Sequence, residues 1–290
     1  MDERLVLDAP AKLNLCLRIV GRRDDGYHLL QSIVIFVDLA DRVSLGAAAG
    51  WRLRLSGPFA PALAGGENLA LRAGRLLAAE ATADIAGCAT LAADVAIEKN
   101  IPVAAGLGGG SSDAAAVLRG LDRLWGLKLS DERLREIAAP LGADLAVCLA
   151  GVASAVSGTG ERLAPIALPP LALVLVNPGM ALATKDVFER LRPPYAAALE
   201  LPAAIADLDG VVRIAREFGN GLTAPAIALC PTVATVLDDL AALDGSRLAQ
   251  MSGSGASCFA LFDDDEAAIA AAEQLRRRRP AWLVRAVRAL

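Results

Sequence analysis

Residues 102–112 read PVAAGLGGGSS and run directly into a helical pattern of small residues. Glycine lets a backbone approach a ligand closely. Successive N–H groups at a helix start, with the positive end of its dipole, attract an anion. Ser111 and Ser112 add hydroxyl donors. A phosphate-bearing ligand is therefore the natural guest of Pro102, Val103, Ala104, Ala105, Gly106, Leu107, Gly108, Gly109, Gly110, Ser111 and Ser112. A tight helix–sheet contact is the alternative use of the same small residues. No GKS or GKT follows, so this is not a Walker A loop. After Gly106 and Gly108 come Gly109, Gly110 and Ser111, which breaks the GxGxxG spacing of a dinucleotide fold.

Other reactive side chains stand apart from the loop. Asp144, in PLGAD, follows a helical pattern and precedes an apolar stretch. Apolar surroundings can tune a carboxyl pKa, but a helix N-cap is the plainer reading of an aspartate there. Lys12 is the single charge between Pro10 and Leu17. It shares one face of an alternating strand with Asn14 and Cys16, opposite Leu13, Leu15, Leu17 and Ile19. Such a lysine either faces solvent or meets the charge of a transferring phosphate. Asn14 either hydrogen-bonds substrate hydroxyls or is an edge-strand polar residue. Tyr27 and His28 follow an Asp-Gly turn, and a phenol beside an imidazole can stack on and hydrogen-bond a pyrimidine. His28 is the only histidine, so multi-histidine metal sites are excluded and a histidine-based triad is not expected. Gly253, Ser254 and Gly255 form a second glycine turn, either a substrate loop or a β-turn before a strand. The arginines at 276–279 end a helix before Pro280 and read as a solvated helix end.

These groups need elements to carry them. The chain has 290 residues, enough for two domains with real cores. Hydrophobic residues make up 55% and charged residues 21%, which excludes disorder. The net charge of −4 argues against a nucleic-acid footprint. Cys16, Cys88, Cys148, Cys230 and Cys258 are scattered without a CxxC pair, so buried thiols in a reduced, cytoplasmic protein are expected. No signal peptide is expected from the opening residues. The uncharged stretch 163–184 holds Pro165, Pro169, Pro170 and Pro178, and 145–160 is too short to span, so no membrane partner is expected. The patterns predict strands at 12–19, 32–37, 51–55, 90–98, 171–176, 258–262 and 282–287. They predict helices at 67–81, 113–125, 130–141 with Ser130 as N-cap, 185–191, 204–218, 232–243 and 265–279. This is an α+β arrangement, with domains at 1–165 and 166–290.

The form P-x-x-x-G-L-x-x-x-S-S before a small-residue helix resembles the phosphate loop of the GHMP kinases, which phosphorylate small-molecule hydroxyls with ATP. PAKLNLCLRIVGRRDDGYHLLQS (10–32), ENLALRA (67–73), PLGADLAVCLAG (140–151), VNPGMALATKDVF (176–188) and MSGSGASCFALF (251–262) resemble one branch of that family. That branch acts on a cytidine-diphosphate-linked methylerythritol, in the non-mevalonate route to isoprenoid precursors. The resemblance implies a two-lobed fold: an N-terminal lobe like ribosomal protein S5 domain 2, and a ferredoxin-like C-terminal lobe. It implies Asp144 as proton acceptor and Lys12 as its charged companion. It implies Tyr27, His28 and Phe188 around the cytosine, with Asn14 and Thr184 also on the substrate. It places Asn68 and Lys99 near the adenine, although Asn68 equally suits a helix cap and Phe188 a core position. ATP with Mg²⁺ is the implied cofactor, with metal ligands unassigned. The expected state is a monomer or weak homodimer. A mevalonate-type, homoserine or sugar kinase, or a non-catalytic nucleotide-binding protein, are the alternatives. Ala104 and Ala105 stand where the family is richer in glycine. NGLTAP (220–225) departs from the more acidic family form, leaving that segment without an assigned task.

Overall fold

The computed structural model describes residues 4–63, 65–84 and 91–290, without the side chains of 82–84. Cys88 and the expected strand start at Thr90 lie outside these. The chain forms strands β1 (Leu5–Arg22), β2 (His28–Ala47) and β3 (Arg52–Ser56), then helix α1 (Leu69–Asp84) and β4 (Ala93–Glu98). Helices α2 (Gly109–Trp125), α3 (Asp131–Ala138) and α4 (Asp144–Ala150) follow, then β5 (Ser154–Gly158), β6 (Arg162–Pro165) and β7 (Ala172–Asn177). Next come α5 (Thr184–Glu189), α6 (Leu208–Phe218), α7 (Thr223–Leu229) and α8 (Thr232–Ala241). The chain ends with β8 (Leu248–Met251), β9 (Cys258–Phe262), α9 (Asp265–Arg278) and β10 (Leu283–Arg288). Of these, α4, β5, β6, α7 and β8 had no predicted counterpart. All five are short, the length at which periodicity carries least information. Among the described residues no helix is long and apolar enough to cross a membrane.

Two compact units emerge. The first comprises Met1–Ala11, Leu39–Val103 and Gly108–Gly151. The end of β2 pairs antiparallel with β4, Arg42 opposite Glu98, and β3 runs parallel to β4, Arg52 opposite Asp94. Gly120 of α2 presses on Leu45, where an added Cβ would come within 2.3 Å of Cδ1. Trp51 and Trp125 meet edge to face at 6.1 Å. α2 begins at Gly109, four residues before the predicted start. The glycines have poor helix propensity, yet they form its first turn behind Gly108 at φ 62°. Ser130 does cap α3, its side chain accepting from the Arg133 N–H at 3.1 Å. The helix stops at Ala138, and 139–141 continue as a 3₁₀ turn around Pro140.

The second unit comprises Lys12–Asp38, Ala104–Leu107 and Val152–Leu290. The start of β2 pairs with β5, Leu30 opposite Gly158, and β5 pairs with β6. A four-stranded antiparallel sheet runs β10–β7–β9–β8. Its central strands are apolar without alternation, and Leu173 to Val176 and Phe259 to Leu261 are all fully buried. Strands covered on both faces lose the period of two. α9 packs on β7 and β10, and α8 on β8 and β9. Asp264 caps α9 and Asp207 caps α6. The four-arginine run is not simply solvated. Arg278 and Arg279 pair with Asp239, Arg279 lies 5.0 Å from the Trp282 ring centroid, and Arg276 Nε donates to the Val284 carbonyl.

Candidate functional site

The second unit holds the middle of the glycine loop, and four consecutive carbonyls fix it. The Leu182 N–H donates to Ala104 O at 3.3 Å and the Ser257 N–H to Ala105 O at 3.2 Å. Ser252 Oγ donates to Gly106 O at 3.1 Å, and the Lys12 N–H to Leu107 O at 3.0 Å. Gly106, at φ 75°, cannot be replaced without a clash, since a Cβ would lie 2.3 Å from Ser252 O. Ala104 takes the left-handed conformation at φ 51°. Alanine there carries roughly 1–2 kcal/mol of strain that glycine would not.

Lys12 and Asn14 sit on that same framework and are 5% and 3% exposed. Neither is the solvent-facing or edge residue that an alternating strand suggests, because β1 is covered on both faces. Lys12 Nζ donates to Asn14 Oδ1 at 2.7 Å, and Asn14 Nδ2 to Ser32 Oγ at 2.8 Å. Ser32 Oγ donates to Cys16 O at 2.6 Å. The polar row of β1 is thus buried and hydrogen-bonded, as buried polar groups must be. Cys16 completes the row, its thiol pushed up to about 12 by burial, so it is inert at neutral pH. The described thiols Cys16, Cys148, Cys230 and Cys258 are free and buried.

An aromatic group gathers around His28. Its ring lies 5.3 Å from Phe188 and 5.8 Å from Tyr195, the latter edge to face. Partial burial, then the nearby Arg22 charge, lower the His28 pKa below its ordinary value. A lowered pKa favours the neutral imidazole, in which one nitrogen can donate and the other accept. Tyr27, on the same turn, is 67% exposed. Thr184 Oγ1 lies 2.9 Å from Ser254 Oγ, which joins α5 to the second glycine turn.

In the first unit the helix start and its supports are distinct from one another. Gly110 is exposed, with open space where a Cβ would stand. Ser111 is half-buried. Ser112 is 3% exposed, its Oγ donating to Pro10 O at 2.6 Å, so that hydroxyl is turned inward. Asn68 caps α1, Oδ1 accepting from the Ala70 and Leu71 N–H groups at 3.0 and 3.2 Å. Lys99, 2% exposed, gives its ammonium to Asp41 and Asp113. Asp41 Oδ1 in turn accepts from the Asn100 and Ile101 N–H groups, the entry to the loop. Lys99 is thus paired within the first unit. Burial raises the Asp113 pKa to about 7, with Asp41 adding to the rise and Lys99 opposing it. Asp144 is the first residue of α4, after Ala143 as N-cap, and is exposed. It is neither the cap nor the apolar-held carboxyl that its sequence context suggests.

Sequence reasoning missed Tyr195, Ser32 and Ser252. Tyr195 is one of only two tyrosines and follows two prolines, which is the sole signal it gives. Ser32 and Ser252 lie inside the family-like segments 10–32 and 251–262, but nothing there singles them out. Among the described residues no group of three or more His, Cys, Asp or Glu side chains could hold a metal ion.

Residues 68–152 match the family model of the GHMP kinases N terminal domain, and 196–281 that of the GHMP kinases C terminal. A 4-diphosphocytidyl-2-C-methyl-D-erythritol kinase of Paramagnetospirillum magneticum is 46% identical over 279 residues, 96% of each chain. One of Parvibaculum lavamentivorans is 46% identical over 94% of each chain. The crystal structure of a 4-(cytidine 5'-diphospho)-2C-methyl-D-erythritol kinase superposes with a TM-score of 0.77 at 35% identity, covering 99% of this chain and 100% of that one. A homoserine kinase from Cytophaga hutchinsonii shares the fold, with a TM-score of 0.69 at 18% identity.

Proposed function

We propose that this chain, which belongs to the GHMP kinase family and within it to the 4-diphosphocytidyl-2-C-methyl-D-erythritol kinases, moves the γ-phosphoryl group of ATP to a hydroxyl of that cytidine diphosphate alcohol, giving the 2-phosphate. The chain is a small-molecule phosphotransferase of the GHMP fold. One observation supports the substrate over other alcohols. His28 stands in ring contact with Phe188 and Tyr195, on a turn that also offers Tyr27. Aromatic faces stack on a base, and a neutral imidazole can read its polar edge. A mevalonate, homoserine or sugar acceptor needs no such group.

Phosphoryl transfer depends on positioning and charge stabilisation more than on covalent chemistry. Asp144 takes the proton of the attacking hydroxyl, for which an exposed carboxylate is accessible. Lys12, oriented by Asn14, meets the charge on the transferring group. Asn14 and Thr184 hold the alcohol. The helix start at Gly108 to Ser111 receives the nucleotide phosphates, and Asn68 the adenine side. Mg²⁺ brought with ATP would be bound through phosphate oxygens, water and one or two carboxylates, and no residue of this chain is assigned to it. It would neutralise phosphate charge. The protein acts in the cytoplasm as a monomer or weak homodimer, without nucleic acid. Its sequence domains are 1–165 and 166–290, a division supported by the two family matches falling on either side of it.

A coupled ADP-release assay with ATP and Mg²⁺ tests this on a panel of 4-diphosphocytidyl-methylerythritol, mevalonate, homoserine and galactose. ADP release with the cytidine compound alone is expected. Release with another alcohol alone would overturn the substrate assignment. ATP binding without release from any would replace the kinase by a non-catalytic nucleotide-binding protein.

A further inference from the structure

The turn at 251–255 is clamped from a segment that the family pattern leaves without a task. Asn220 bridges to Leu17 of β1, and its Nδ2 donates to Met251 O at 2.7 Å and Gly253 O at 2.9 Å. Those two carbonyls flank Ser252. Asn220 Oδ1 meanwhile accepts from the Leu222 N–H at 2.9 Å, so the amide cannot flip without losing three bonds. Ser252 is fully buried. Its Oγ accepts from the Asn14 N–H at 3.1 Å and donates to Gly106 O at 3.1 Å. The contact has no slack, since a Cβ on Gly253 would lie 3.1 Å from Gly106 O and 3.3 Å from Asn14 Oδ1.

We infer that Ser252, held by Asn220, is a positioning residue for phosphoryl transfer. The inference rests on the kinase reading above. A carbonyl oxygen carries partial negative charge, and near a triphosphate it opposes binding. The loop solves this at residues 104–107 by tying each carbonyl to a donor of its own unit. Three of those donors are backbone N–H groups, which no side-chain change can remove. Gly106 alone depends on a side chain, that of Ser252. The same oxygen anchors the Asn14 peptide, and Asn14 orients the Lys12 ammonium. One hydroxyl therefore sets the loop peptide and the lysine strand against each other.

Ser252→Ala removes one oxygen atom and both bonds. Its kcat should fall by about 10- to 100-fold, the scale of a small misplacement at a reacting centre. KM for ATP and for the alcohol should stay within about threefold, and so should the affinity for methylanthraniloyl-ADP, because most binding contacts remain. Asn220→Asp keeps the Leu222 bond but turns a carboxylate onto two carbonyl oxygens, and should lower kcat in the same way. Circular dichroism and thermal melts give the folded fraction of each variant. A kcat for Ser252→Ala within twofold of wild type, or a loss that only follows the folded fraction, overturns the inference. Should Asn220→Asp fail to fold, Ser252→Ala decides alone. A wild type that phosphorylates no alcohol sinks the functional reading and this inference together. A wild type that does so while Ser252→Ala keeps its kcat sinks the inference alone.

Discussion

Asp113 lies one turn into α2, and Asp144 opens α4 in the same unit. Both are acidic residues near a helix start, where the dipole favours a carboxylate. Asp113 is 2% exposed and shares the Lys99 ammonium with Asp41. Asp144 is exposed. The first is held inside the protein beside the Lys99 ammonium, next to the strand end that leads into the loop. The second can be reached by a substrate. Burial, not residue type, separates the two environments.

The sharpest way to break this comparison is Asp144→Asn. Loss of a general base lowers kcat by about 10²- to 10⁴-fold. Methylanthraniloyl-ADP should bind as before, and the stability should change by no more than about 1 kcal/mol, the scale of an exposed carboxylate at a helix start. Turnover within tenfold of wild type would remove Asp144 from the chemistry.

Lys99→Met attacks the other side. Removing the cation leaves two carboxylates buried without their partner, which costs about 3–5 kcal/mol. A urea titration should show the midpoint falling with the slope unchanged. Per folded molecule, kcat should fall far less than in Asp144→Asn. If instead the variant keeps its stability and loses nucleotide affinity, Lys99 belongs to the nucleotide and the triad is incidental.

The contrast was only half legible in the sequence. Motif spacing located Asp144, and a helix pattern located α2, but nothing marked Asp113 as buried. Its partners come from positions 41 and 99, on two other segments, and a pairing at that separation leaves no periodic trace. The same holds for Ser252, whose contacts lie 238 and 146 residues away. Lys12 and Asn14 were found because they share a row of β1. Their burial was not, because alternation reports one covered face and β1 has two. The long central elements were legible for the opposite reason. Leu173 to Val176 and Phe259 to Leu261 need only local apolar runs to declare themselves.

Asp113→Asn tests the buried carboxylate by pH. The folded pKa of about 7 lies above the ordinary 3.8, raised by burial and then Asp41 against the pull of Lys99. Asp41 and Lys99 are the charged groups that face it. A carboxyl that holds its proton in the folded state stabilises fully at low pH. That contribution is lost as pH rises toward 7. The stability of Asp113→Asn relative to wild type should therefore grow between pH 4.5 and 7.5, by at most about 1.4 kcal/mol per pH unit. Urea midpoints at four pH values measure it. A constant difference across that range would show that Asp113 is ionised throughout and that Lys99 outweighs burial.

Asn68 supplies a third helix start and the smallest effect. Its Oδ1 caps α1 in the structure, which leaves Nδ2 as the donor for the adenine side proposed for Asn68. Two substitutions separate these atoms. Asn68→Ala loses the cap and should destabilise by about 1 kcal/mol. Asn68→Asp keeps a capping oxygen, and aspartate caps as well as asparagine, so the thermal midpoint should hold. It replaces the donor with a carboxylate, however, so KM for ATP should rise several-fold if that donor meets the adenine. An unchanged KM in Asn68→Asp, beside a lowered midpoint in Asn68→Ala, would make Asn68 a cap and nothing more. It would then stand with Asp113 among the residues that hold the frame.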